Sequence, residues 1–158
     1  MSRPPRIKGF DYLGCWRYFL TFCTLDRRAT FRDAAAVDLA LAQFRRTTRS
    51  WSFATLAYCF IPDHVHLLIE GTTSAADLKR VAKRLKQGSG QSWKFRTGAR
   101  LWQEGYYDRV LRPGEDPKVV ARYIVENPVR ARLVAHPAQY PYLGSDVWTL
   151  DELLDSLI

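Results

Sequence analysis

The amino-acid sequence predicts an α+β fold in which an antiparallel sheet carries helices on one face. Strand-like and helix-like segments alternate in the order β-α-β-β-α-β-α. The second and third strand-like segments are separated only by the turn signal Pro62-Asp63, so we expect them to pair antiparallel. This order is the ferredoxin-like, or RRM-like, plan. The 158 residues suit one domain with a substantial core.

The first half of the chain supplies three strands and one helix. WRYFLTFCTL (16–25) is rich in aromatic and β-branched residues, which favours a strand. Residues 34–49 place their apolar side chains on one side of a helix. SFATLAYCFI (52–61) predicts the second strand and HVHLLIE (64–70) the third.

The second half supplies two more helices and a strand. We expect a helix from about 75 to 87, with Ser74 as its N-cap and Gly88 and Gly90 at its end. YYDRVLR (106–112) predicts the fourth strand. Asp116-Pro117 begins a helix that runs to Pro128. NPVRARLV can form a further short helix, and PAQYPY is predicted to be extended coil. One domain is expected over 1–158, with a core of about 12–135 and a C-terminal tail of about 136–158.

The charge and the cysteines narrow the class of protein. The net charge of +8, from 24 Lys and Arg against 16 Asp and Glu, favours a polyanionic partner. No apolar run is long enough for a membrane span, and the N-terminal MSRPPRIKGF lacks the apolar core of a secretory signal. The three cysteines have no metal-ligand spacing. We therefore expect free thiols in a reducing cytoplasm.

A strongly basic segment, DLKRVAKRLKQGSGQSWKFRTGAR, covers residues 77–100. Only Asp77 opposes its positive side chains. The alternative is an ordinary solvated helix face, but such a dense row of cations is typical of phosphate contacts with nucleic acid. The residues predicted to bind DNA are Lys79, Arg80, Lys83, Arg84, Lys86, Lys94 and Arg96.

Two of the three histidines stand together in FIPDHVHLLIE (60–70). Alternate side chains of a strand share a face, so His64 and His66 point the same way, about 6–7 Å apart at their Cα atoms. That separation suits one shared metal ion. The alternative is a pair of structural histidines held by hydrogen bonds. A catalytic metal site would need a third ligand from elsewhere in the chain.

The helix that begins near 117 offers a candidate partner for the histidines. Tyr123 and Asn127 are four residues apart and share one helical face. Tyr123 could instead be an amphipathic aromatic with a solvated hydroxyl, and Asn127 could cap the next helix. Glu126 is the alternative third ligand.

Three sequence blocks resemble those of a known family. The blocks are YCFIPDHVHLLIE (58–70), LWQEGYYDRVLR (101–112) and RYIVENPVRARLVAHPAQYPY (122–142). They resemble, in the same order, the motifs of the single-tyrosine HUH transposases. Within that group the chain is most similar to the REP-associated tyrosine transposases of bacteria. Asp63 stands where the family usually has Asn, and YPYLGSD (140–146) replaces its Tyr-Pro-Trp-Ser-Ser.

The resemblance implies a mechanism and a set of residue roles. His64 and His66 would bind Mg²⁺ or Mn²⁺ together with Asn127. Tyr123 would be the nucleophile, forming a 5′-phosphotyrosine link and leaving a free 3′-OH that permits strand transfer. Tyr106 and Tyr107 are the alternative nucleophiles.

The resemblance also implies the partners and the location. The substrate would be single-stranded or hairpin DNA, such as a repetitive palindromic element. Insertion-sequence relatives are dimers that exchange tyrosine helices, whereas the REP-associated group can act as monomers, so we expect a monomer or a homodimer. The expected location is the bacterial cytoplasm, in association with the nucleoid and not with a membrane.

Two other functions compete with this interpretation. One is a non-catalytic nucleic-acid-binding protein that uses an RRM-like sheet surface. The other is a metal-dependent nuclease that activates water and forms no covalent link with DNA.

Overall fold

The computed structural model describes residues 7–155. Residues 1–6, which carry part of the prediction about a secretory signal, and residues 156–158, at the end of the predicted tail, lie outside this range. Within it, five strands form one antiparallel sheet in the order β4-β1-β3-β2-β5. The strands are β1 Arg17–Cys23, β2 Phe53–Ile61, β3 His64–Gly71, β4 Tyr107–Val110 and β5 Leu143–Gly144.

The helices complete the predicted order β-α-β-β-α-β-α, and further elements follow it. The helices are α1 Ala34–Ser50, α2 Leu78–Thr97, α3 Pro117–Val125, α4 Asn127–Arg130 and α5 Leu150–Asp155. The predicted α+β fold class is therefore confirmed. None of the helices in the described part of the chain is both long and apolar enough to cross a bilayer.

Helices α1 and α3 begin at side-chain caps. The Asp33 carboxylate accepts a hydrogen bond from the Ala35 N–H at 3.0 Å and caps α1. Asp116 accepts from the Lys118 N–H at 2.9 Å, with Pro117 at the first helical position, as the sequence predicts for α3.

Helix α2 differs from its predicted bounds at both ends. Asp77, and not Ser74, is the N-cap, and its carboxylate accepts from the Arg80 N–H at 3.2 Å. Gly88 and Gly90 lie inside the helix, which ends at Gly98 with a left-handed φ of 76°. A glycine inside a helix costs only about 1 kcal/mol. Tertiary packing outweighs that cost.

The sheet has a core on each face. Helices α1 and α2 cover the face formed by Tyr18, Leu20, Phe22, Phe60 and Leu67, among others. The apolar side of α3 packs with α5 on the opposite face, against Leu56, Ala57, Cys59 and Leu68. The prediction that the helices lie on one face therefore holds for α1 and α2 but not for α3 and α5. The opposite face is only partly free.

The segment after α4 contains more structure than the predicted extended coil. Pro137–Gln139 form a 3-10 turn, and β5 pairs with β2 at Tyr58 and Cys59. Leu153 of α5 is buried in the second core. The end of the chain thus adds an edge strand and a helix to the sheet.

Candidate active site

The pairing of β1 with β3 positions the histidine pair. His64 and His66 alternate with Val65 and Leu67, which are buried in the core beneath α1 and α2. Both imidazoles therefore face the α3 side of the sheet, as strand alternation predicts. The register sets Thr21 opposite His66.

Each imidazole has one ring nitrogen held by a neighbour. His64 Nδ1 lies 2.7 Å from Asp63 Oδ1, and His66 Nδ1 lies 2.8 Å from Thr21 Oγ1. The Asp63 carboxylate can only accept when ionised, so His64 Nδ1 carries the proton and its Nε2 keeps a lone pair. The Thr21 hydroxyl can donate or accept, so it suits either tautomer of His66.

The remaining nitrogens face one another, with His64 Nε2 3.2 Å from His66 Nε2. Two ligand atoms at right angles around an octahedral ion with bonds of about 2.1 Å lie roughly 3 Å apart. The pair therefore fits a shared divalent ion. Asp63 and Thr21 hold the other ring nitrogens, as such groups usually do for metal-binding histidines.

Both histidines are neutral near pH 7. Burial, reinforced by the charges of His64, Arg130 and Arg27, lowers the pKa of His66 to about 3. Burial also lowers the pKa of His64 below its usual value, although Asp63 opposes the effect. Neutral imidazole is the form that binds metal.

A third ligand to such an ion would come from outside the histidine pair. Within residues 7–155, no three His, Cys, Asp or Glu side chains are gathered to hold a metal ion. Cys59 of β2 lies opposite His66 of β3 in the register of the sheet. Burial raises the pKa of its thiol to about 12, so it stays protonated and is a poor ligand. The candidates are the Asn127 amide, the alternative Glu126, a phosphate oxygen and water.

Helix α3 brings Tyr123 to the same face of the sheet. Val120 and Ile124 of this helix are buried, whereas Tyr123 is 53% exposed. The Tyr123 ring lies 6.4 Å from the Phe19 ring, which in turn lies 5.3 Å from the His66 ring. One phenyl ring therefore separates the candidate nucleophile from the histidine pair.

Arg130 holds the tyrosine from the other side. Its guanidinium carbon lies 3.8 Å from the centre of the Tyr123 ring, and the same group donates a hydrogen bond to the Tyr123 carbonyl oxygen. This stacking restrains the ring while leaving it accessible.

Asn127 and Glu126 have different surroundings. Asn127 is the first residue of α4 and is half-buried, and no side chain caps that helix. Glu126 Oε1 accepts from Arg122 Nε at 2.8 Å, and its other oxygen lies 4.0 Å from Arg130. The Glu126 carboxylate is thus engaged by arginines.

Arg27 lies beside the pair, and its backbone is unusual. Its Nε donates to Asp63 Oδ2 at 2.9 Å and its Nη1 to the Cys23 sulfur at 3.1 Å. Arg27 and Asp26 both have left-handed backbones, with φ of 53° and 55°. Such a conformation is uncommon for arginine, although aspartate tolerates it, and backbone outliers often lie at functional positions.

The seven basic residues predicted to bind DNA have different neighbours in the structure. Arg80 and Arg84 stack on the Trp51 ring at 5.1 and 5.4 Å, and Lys79 lies 5.4 Å from the centre of the Tyr12 ring. The other four lie elsewhere on the helix: Lys83, Lys86 and Lys94 line a groove, and Arg96 is exposed in the last turn.

The two alternative tyrosines differ in their position. Tyr107 pairs with Thr21 across β4 and β1, so it belongs to the row of the sheet that contains His66. Tyr106 packs against the core beneath α1 and α2.

Sequence reasoning missed four residues of the site, namely Thr21, Arg27, Asp63 and Arg130. Asp63 could have been found as the neighbour of His64, and Arg130 by its spacing of two helical turns from Tyr123. Thr21 depends on the pairing register between strands distant in sequence. Arg27 depends on a turn that the sequence does not signal.

The sequence of this chain is similar to those of known proteins. The model of the family described as "Transposase IS200 like" matches residues 15–127. A curated protein of Haemophilus influenzae, described as a REP-associated tyrosine transposase, is 24% identical over 137 residues, covering 79% of this chain and 77% of that protein.

Solved structures give the same picture of the fold. A REP-associated tyrosine transposase bound to a REP hairpin matches with a TM-score of 0.73 and 19% identity, covering 90% of this chain and 82% of that one. A protein of Deinococcus radiodurans described as a transposase matches with a TM-score of 0.53 and 25% identity, covering 77% of this chain and 97% of that one.

Proposed function

Since the chain belongs to the family of IS200-like transposases, which are DNA-cleaving enzymes, we propose that it cuts and rejoins single-stranded DNA through Tyr123. The observation that supports this most directly is the row of rings from Tyr123 through Phe19 to His66. It brings a partly exposed phenol to the face that carries the two metal-competent nitrogens.

The proposed step is a transesterification at phosphorus. The Tyr123 oxygen bonds to the phosphorus, the bond from phosphorus to the 3′-oxygen breaks, and the Tyr123 proton passes to solvent. The 3′-oxygen takes up a proton and leaves as a 3′-OH. The resulting 5′-phosphotyrosine keeps a phosphodiester bond, so attack by a 3′-OH reseals a strand.

His64 and His66 would hold a divalent ion together with Asn127. Such an ion, Mg²⁺ or Mn²⁺, supplies charge to the non-bridging phosphate oxygens when bound. The engagement of Glu126 by Arg122 and Arg130 favours Asn127 over Glu126 as the third ligand.

Two arginines add fixed positive charge near the pair. The charges of Arg27 and Arg130 both reach His66, where they help to lower the pKa of the imidazole. We propose that the same charges stabilise the phosphate as negative charge develops on it during attack.

The proposed substrate is a DNA hairpin of the repetitive palindromic type. The support is the relative bound to a REP hairpin and the net charge of +8. In this proposal residues 1–158 act as one domain, working in the bacterial cytoplasm near the nucleoid.

One assay separates this function from its competitors. Labelled single-stranded hairpin DNA is incubated with the protein and Mg²⁺ and then run on a denaturing gel. A protein-linked DNA band supports the proposal. Free cleaved DNA would indicate a nuclease that uses water, and uncut DNA that is nevertheless bound would indicate a non-catalytic binder.

Replacing either histidine tests the metal site. We expect His64→Ala and His66→Ala each to abolish the protein-linked band while hairpin binding is largely retained. His136→Ala is the control outside the pair and should keep the band, because His136 caps a 3-10 turn, its Nδ1 accepting from the Ala138 N–H. Wild-type cutting by either pair variant would show that the metal assignment is wrong.

A further inference from the structure

A concave groove lies between α2 and the segment 100–106. Its volume is about 530 Å³, which is within the range of pockets that hold small ligands. Lys83, Lys94 and Arg100 supply cations to its walls, and Gln87 and Gln91 supply amides. The groove therefore offers both positive charge and hydrogen-bonding groups.

The floor of the groove is joined to the histidine end of the sheet. Gln103 N–H donates to the Cys23 carbonyl at 3.0 Å, and Leu25 N–H donates to the Leu101 carbonyl at 2.9 Å. Next to them, Thr24 N–H donates to the Asp63 carbonyl at 3.0 Å. Asp63 immediately precedes His64, so backbone bonds through Cys23–Leu25 link the floor of the groove to the end of β3 that carries the histidines.

Lys86 has a structural role in the groove, because its ammonium group bonds to backbone carbonyls. Its ammonium donates to the Gln103 carbonyl at 2.8 Å and to the Gly105 carbonyl at 2.5 Å. These bonds fix the segment 103–105 against α2. Lys86 is half-buried, so it forms part of the floor.

The side chains of the three cationic residues in the groove walls are exposed to solvent. Within residues 7–155, Lys83, Lys94 and Arg100 form neither an ion pair nor a ring contact. Glu104 is the one acidic residue among the groove's lining. Arg80 and Arg84, by contrast, stack on Trp51.

We propose that this groove binds the sugar–phosphate backbone of the single strand that runs to the histidine pair. The proposal rests on the proposed function, since it assigns a path to the same substrate. The cations contact phosphates and the glutamines contact sugar and base edges. We expect the groove to take one strand and not a duplex. The groove, and not the Trp51 side of α2, is thus the DNA-binding surface of the helix.

Adjacent residues provide a matched test. Affinity for a fluorescent, unstructured oligo-dT strand is measured without metal at several salt concentrations, for the wild type and for Lys83→Ala, Lys94→Ala and Arg84→Ala. Each lost phosphate contact should lower the log–log salt slope by about 0.7, which is about a fivefold weakening at 0.1 M salt. We expect this for the two lysine variants and an unchanged slope for Arg84→Ala.

Two results would overturn the proposal. One is a slope for Lys83→Ala and Lys94→Ala that equals the wild type, or a loss in Arg84→Ala as large as theirs. The other is a duplex of the same length that competes as well as the single strand. Lys83 and Lys94 are exposed and make no ring contact among the described residues, so thermal unfolding of their variants should be unchanged and will confirm folding.

The test is independent of the proposed chemistry. Binding to oligo-dT without metal uses neither Tyr123 nor the histidine pair. If the protein forms the adduct but both lysine variants keep the wild-type salt slope, the groove proposal is wrong and the proposed cutting activity stands. If the protein forms no adduct but the lysine variants have a lower salt slope, the proposed cutting activity is wrong and the groove proposal stands.

Discussion

At the residue scale, the site depends on neighbours that fix the two imidazoles. Asp63 and Thr21 each engage one Nδ1, so both Nε2 atoms are directed to the same point. Arg27 in turn holds the second oxygen of Asp63. Partners of this kind orient metal ligands and set their tautomers. Asp63 provides a full negative charge where the resembling family usually has an amide.

The buried state of His66 predicts an acid-sensitive stability. Its pKa is about 3 when folded and near 6.5 when unfolded. As the pH falls below 6.5, the unfolded chain therefore binds a proton that the folded chain does not. This difference removes roughly 1 kcal/mol of unfolding free energy for each pH unit down to about 3.

Urea unfolding at pH 7 and pH 5 checks this expectation. The free energy of unfolding of the wild type should fall more steeply between these values than that of His66→Gln, which has no titrating group at this position. Equal slopes in the two proteins would contradict the burial of a neutral imidazole.

At the element scale, α2 continues through Gly88 and Gly90. The same helix therefore carries the basic side chains and one wall of the groove. Gly90 has ordinary space around it: a Cβ there would lie 3.7 Å from the Trp102 ring. Gly90→Ala should therefore stabilise the protein by about 0.5–1 kcal/mol, because alanine is the better helix former.

Gly71 in β3 is the contrasting position. A Cβ there would lie 2.0 Å from the Gly14 carbonyl oxygen, so we expect Gly71→Ala to be clearly destabilising. Thermal unfolding of both variants is the measurement. A lower melting temperature for Gly90→Ala would contradict an uninterrupted, unstrained α2.

The same helix shows where prediction from sequence succeeds and where it stops. Local periodicity was sufficient for β1, α1 and α3, and strand alternation was sufficient to place His64 and His66 on one face. The length of α2 was missed because Ser89, between the two glycines, is buried and bonded to the Trp102 indole N–H at 2.9 Å. That contact is tertiary and has no local signal.

The basic residues of α2 also show where prediction from sequence stops. Lys83 and Arg84 are adjacent, and the sequence gives no reason to separate them. In the structure they have different surroundings: Arg84 stacks on the ring of Trp51, at the end of α1, whereas Lys83 lines the groove. Likewise Thr21 contributes to the site only through the β1–β3 register.

At the scale of the whole molecule, the tyrosine helix packs on its own sheet. Val120 and Ile124 of α3 are buried with Leu68 in the second core. One chain thereby carries both the histidine pair and a tyrosine that is linked to it through the Phe19 ring. This arrangement predicts that each copy cuts DNA with its own tyrosine.

A mixing experiment tests this arrangement. His66→Ala and Tyr123→Phe are each expected to be inactive alone, and a mixture of the two should remain inactive. Restored adduct formation in the mixture would show that one copy supplies the tyrosine to the histidines of another.

The central claim is that Tyr123 is the nucleophile. The most direct measurement is the denaturing-gel adduct with hairpin DNA, followed by mass spectrometry of the linked peptide. Tyr123→Phe removes one oxygen and keeps the ring against Phe19, so it should bind hairpin DNA normally and form no adduct. Tyr107→Phe, on the same face of the sheet, should keep the adduct. An adduct in Tyr123→Phe, or one mapped to Tyr107 in the wild type, would contradict the claim.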